Sequence, residues 1–147
     1  MSIIILYIIV PVLLFICSIY DLKKGEIENY WSYILGAVGI IYSIFVNQFK
    51  SNFCAALIIF IALYSVYIFS ALIGKYGLGG ADVRILTALA LSIGYNILSI
   101  IIISSVLNII YILFKSLFTR QKLNSICTKY VPFILVGYTI TLFLINK

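Results

Sequence analysis

The length of its apolar runs constrains this chain more than any other feature. From Val83 to Phe114 about thirty residues pass with a single charge, Arg84. A membrane-spanning helix needs about 20 predominantly apolar residues, so this run is too long for one ordinary span and short for two. The group Ser92, Gly94, Tyr95 and Asn96 has the composition of a tight turn. It predicts two helices, roughly 81–94 and 97–114, the first of them short. Four further apolar segments cover residues 3–20, Tyr30 to about Val46, 53–74, and Val131–Ile145. Pro132 falls at the start of the last segment, where a helix tolerates proline. The chain therefore reads as an all-α integral membrane protein, a polytopic bundle of about six transmembrane helices. It is 65% hydrophobic and 10% charged, with a mean hydropathy of +1.24, against about 45–50% and about 25% in soluble domains. That leaves no room for a second, soluble domain, so residues 1–147 read as one membrane-embedded unit.

Charge sets the expected orientation. Loops 21–29, 74–84 and 115–130 fall on one side of a six-span topology and hold eight of the ten basic residues: Lys23, Lys24, Lys75, Arg84, Lys115, Arg120, Lys122 and Lys129. Only Lys50 and Lys147 fall on the other side. Cytoplasmic loops carry the Lys/Arg excess, so both termini are expected outside. The same rule accounts for the net charge of +6, and no basic arm points to nucleic acid. The first segment lacks a basic leader region, so residues 3–20 are expected to be a retained span rather than a cleaved signal. Ile16 is too bulky for Cys17 to belong to a lipoprotein box. Cys17, Cys54 and Cys127 form no C-x-x-C pair, and the chain has no histidine. A zinc site has no ligand set to draw on, no cofactor is expected, and the cysteines read as small packing residues.

The four acids, Asp21, Glu26, Glu28 and Asp82, all fall on the cytoplasmic side of this topology. Asp21 ends the first helix and Asp82 begins the fourth. Ionisable groups at membrane depth are costly and usually face a bundle interior or a wet cavity. Two carboxylates that converge there can share a proton, one activating a water while the other donates. Such a pair titrates as a unit. In GGAD, Gly79 and Gly80 offer no side chain to block a peptide backbone approaching Asp82. From the residues alone Asp82 divides evenly between helix cap and catalyst. Asp21 taken alone reads first as a charge at a membrane boundary.

GGADVR, residues 79–84, resembles the G-x-G-D-type motif of the type IV prepilin peptidases, with Ala81 in place of a glycine and Arg84 where lysine is usual. DLKKGEIEN is similar to the family's first motif: Asp21, Ile27 and Asn29 match in type and spacing, while Glu28 replaces a proline. YVPFILVG, with Pro132, Phe133 and Gly137, resembles the family's Pro-Phe stretch. The resemblance implies an aspartic membrane endopeptidase that cuts the short basic leader of prepilins or pilin-like proteins at the cytoplasmic face, with Asp21 and Asp82 as the catalytic pair. Larger members carry an inserted cytoplasmic domain with paired cysteines, linked to metal binding and N-methylation. Nothing in this sequence resembles that insertion. The expected form is the minimal one, similar to preflagellin and tight-adherence pilus peptidases, without methyltransferase activity.

Glu26 and Glu28 are candidate contacts for a basic leader through electrostatic steering, but read first as part of a solvated loop with Lys23 and Lys24. Lys75 and Arg84 either tune the aspartates or anchor the cytoplasmic side. Asn96 and Asn108 read as helix–helix contacts, and the third and fifth helices as packing only. Two rival functions remain. A small proton-coupled transporter would use the aspartates as a relay, although relay acids usually lie near mid-membrane. A pilus-assembly scaffold without activity would need neither aspartate. The expected partners are a prepilin-like membrane substrate and the lipid bilayer.

Overall fold

The computed structural model describes residues 8–25, 27–72, 79–119 and 128–145. Glu26, Lys75, Arg120, Lys122, Cys127 and Lys147 lie outside the described residues, as does most of the basic loop before the last helix. Helix α1 spans Val10–Lys24, α2 Asn29–Phe45, α3 Phe49–Leu72, α4 Gly80–Ile93, α5 Ile97–Thr119 and α6 Val131–Ile145. Among the described residues there is no strand.

The helix ends follow local chemistry. Pro11 sits within the first two positions of α1, where its missing N–H is no loss. Helix α1 runs one turn beyond Asp21 and stops at Gly25, whose φ of 73° is left-handed. The expected end at Asp21 is therefore corrected: the last-turn charges Lys23 and Lys24 suit a helix C-terminus and extend it. The polar stretch 47–52 is mostly helical rather than loop. The chain turns over Val46–Gln48, with Asn47 at φ 55°, and α3 starts at Phe49.

Asn52 shows why. It is buried, and its Nδ2 donates to the carbonyls of Leu91 (3.2 Å) and Ser92 (3.4 Å). These are orphan carbonyls of the last turn of α4. The expected turn after that helix is present as a single 3₁₀ turn, Gly94–Asn96. Gly94 has φ +59°, and a Cβ there would meet Asn52 Oδ1 at 2.6 Å, so both backbone and space exclude a side chain.

Helix α4 is the centre of one half of the fold and packs on α2 and α3; α6 packs on α5 and α1. Leu35, Ile85, Leu86 and Leu89 fill the first interface, and Leu14, Ile100, Ile134 and Tyr138 the second. Small residues let the backbones approach, Gly39 against Ala88 and Gly137 against Ser104. Cys17 is in this core, whereas Cys54 is exposed on α3 and fills no packing role.

Phe49–Leu72 and the stretch Gly80–Phe118 are long and apolar enough to cross a membrane, and in the most apolar 18-residue window of each only 17% is buried inside the fold. Core helices of a soluble protein would be mostly buried. Here Ile61, Phe69, Ile102 and Ile110 project outward, as lipid-facing side chains do.

Candidate active site

The site exists because α4 is short. At 1.5 Å per residue its 14 residues reach about 21 Å, while the 24 residues of α3 and 23 of α5 reach about 36 and 34 Å. Beyond the first turn of α4, the walls of α3 and α5 continue around a cavity of about 1020 Å³. Both Asp82 and Asn108 line it. In one straight helix these two would lie about 39 Å apart, so the chain must reverse at Gly94. Each lies 11 residues from the turn, Asp82 before Ile93 and Asn108 after Ile97, which sets them at similar depth.

Asp21 and Asp82 line this same cavity, together with Gly79, Gly80 and Ala81. Asp21 is buried and Asp82 partly buried. Asp82 occupies the third position of α4, and its Oδ2 accepts the Gly79 N–H at 3.2 Å. The cap reading of Asp82 is thus present, in a residue that also lines the cavity. Gly79 is exposed, and a Cβ on it would stand 2.9 Å from Asp82 Oδ2. Glycine here serves the carboxylate as well as any ligand.

Asp21 is held from the other end of the sequence. Its Oδ2 accepts the Val131 N–H at 3.4 Å. Its main-chain carbonyl accepts from Lys129 Nζ at 2.6 Å and from the Gly25 N–H at 2.9 Å. Lys129 also reaches the Leu22 carbonyl at 2.8 Å. A cation on the last carbonyls of α1 satisfies orphan acceptors and the helix dipole together.

Glu28 does not line the cavity. It is exposed at the position before α2, 3.6 Å from Lys24. Arg84 turns away as well and donates to Asn29 Oδ1, tying α4 to the start of α2. The third and fifth helices were expected to contribute packing alone. Instead α3 supplies Tyr67, and α5 supplies Ser105 and Asn108 to the cavity wall. Thr128, Lys129 and Tyr130 close it. Tyr130 Oη is fixed by Ser104 Oγ (2.7 Å) and Ser105 Oγ (3.0 Å). The available sequence signal was the spacing of Ile101, Ser105, Asn108 and Ile112, one face of a helix.

The fold and site define an all-helical membrane protein with two carboxylates on one enclosed surface. The chain belongs to the type IV leader peptidase family, whose family model matches residues 8–113. That match includes both aspartates and places the protein among aspartic-type peptidases. No curated protein and no solved structure matches the chain.

Proposed function

We propose that the chain is an endopeptidase that removes the short basic leader of prepilins or pilin-like proteins, with Asp21 and Asp82 as its catalytic pair. The observation that carries this reading is the convergence of both carboxylates, 61 residues apart, on one cavity beside Gly79–Ala81. One carboxylate, ionised, takes a proton from a water whose oxygen attacks the scissile carbonyl carbon. The other, protonated, donates to the carbonyl oxygen. The tetrahedral intermediate collapses, the C–N bond breaks and the amine leaves with a proton from the dyad.

We place the site at the cytoplasmic side of a six-span topology with both termini outside, on the Lys/Arg distribution. The length of α4 supports a site slightly below that surface: about 21 Å falls short of a hydrocarbon core of about 30 Å. Peptidase action alone is proposed, since nothing in the sequence resembles the paired-cysteine insertion of the methylating members. Co-expression with a tagged pilin-like protein from the same genome tests the reading. Mass analysis should show loss of the leader at one bond. An intact substrate with the peptidase correctly inserted would contradict it.

A further inference from the structure

Asn108 presents a feature that packing does not explain. It lies near the middle of α5, its Oδ1 is buried, and that atom has no hydrogen-bond partner among the described residues. Asn108 also lines the cavity that holds Asp21 and Asp82. An unsatisfied amide in an apolar helix is costly, and a helix–helix contact would have supplied a partner. Neighbouring polar groups of the cavity are already committed: Tyr130 bonds Ser105, and also Ser104 behind it.

We propose that Asn108 is a binding subsite for the main chain of an extended peptide, its amide turning about χ2 so that the buried, unpartnered Oδ1 accepts a substrate N–H near the bond to be cut. This rests on the peptidase reading of the cavity and deepens it. A segment must leave its helix before a carbonyl can lie between two carboxylates. At membrane depth each N–H so released needs a new acceptor. Asn108 offers one on the wall formed by α5, and Gly79–Ala81 line the same cavity at the start of α4. Because the contact is to main chain, it favours unwound peptide over helix and is indifferent to side-chain identity.

The test uses the full chain in detergent with a synthetic peptide, a basic leader followed by an apolar segment. Asn108→Leu keeps the volume and removes the acceptor; Asn108→Gln restores one. KM should rise about tenfold in Asn108→Leu with kcat nearly held, and Asn108→Gln should recover part of it. The thermal midpoint of Asn108→Leu without peptide should equal or exceed that of wild type, because the unsatisfied group is gone. An unchanged KM with a lowered midpoint would overturn the proposal and make Asn108 a packing residue. Peptide affinity is also measured on Asp82→Asn, with and without Asn108→Leu. Affinity that depends on Asn108 while wild type cuts nothing keeps the subsite and removes the peptidase reading. Equal affinity in both, or none in either, removes the subsite whatever the cleavage result.

Discussion

Lys129 holds Asp21 across 108 residues of sequence: its Nζ lies 2.6 Å from the Asp21 carbonyl oxygen and 2.8 Å from that of Leu22. Two residues on, the Val131 N–H reaches the Asp21 carboxylate. The start of α6 is therefore part of the site, although the family match ends at residue 113. Helix α1 carries the carboxylate, Lys129 ties down its last turn, and the first N–H of α6 bonds the carboxylate itself.

Replacing Lys129 by Met should release the last turn of α1. Loss of a charge-assisted hydrogen bond to the helix end is expected to cost about 1–2 kcal/mol of stability. Cleavage should fall further than stability does, since Asp21 loses its bearing. Thermal unfolding and cleavage rate of Lys129→Met and Lys129→Arg, measured side by side, check this. The arginine variant should retain most of the stability.

Gly79→Ala should damage activity and spare the fold. The new methyl group meets Asp82 Oδ2 at 2.9 Å, and a carboxylate at the end of a side chain can swing aside cheaply. Swinging it aside misplaces a reacting group, which can cost on the order of a hundredfold in rate. The measurement is kcat against thermal midpoint; a fall in both together would mean that Gly79 serves the backbone instead.

Gly94→Ala is the converse. It lies at the far end of α4 from the aspartates, at φ +59° and against Asn52. Strain of that kind costs about 1–3 kcal/mol. The thermal midpoint should drop clearly, and the protein that remains folded should keep its KM.

Glu28→Gln should change little. The side chain is exposed beside Lys24, and exposed pairs are individually weak. KM for a basic leader is expected to shift by less than about twofold at physiological salt. A larger rise that fades as salt increases would establish the steering role considered for Glu28.

Much of the fold was legible because a bilayer forces the backbone to satisfy itself within helices, so apolar runs translate into helices directly. The break at Gly94 was legible from turn residues. Helix ends were less so: Asp21 lies a turn inside α1 because lysines favour the C-terminal turn, and Asn52 is helical because it caps α4. The two aspartates could be singled out as candidates from their neighbours, and they line one cavity. The rest of the cavity wall could not. Which faces of α3 and α5 it uses follows from α4 stopping short, and that places Tyr67 and Asn108 beside Asp82. Lys129 read as one more positive charge in a basic loop; nothing local to it points to Asp21.

The central claim is that Asp21 and Asp82 act as one unit, and their asparagine variants test it most directly. Asparagine keeps the shape of each side chain and removes its acid. Asp21→Asn, Asp82→Asn and the double variant are compared with wild type for leader removal, with membrane insertion verified for each. The account expects each single variant to abolish cleavage and the double variant to be no worse, because residues that act together lose activity together. Continued cleavage by either inserted single variant would contradict it, leaving that aspartate as a cap or a membrane-boundary charge.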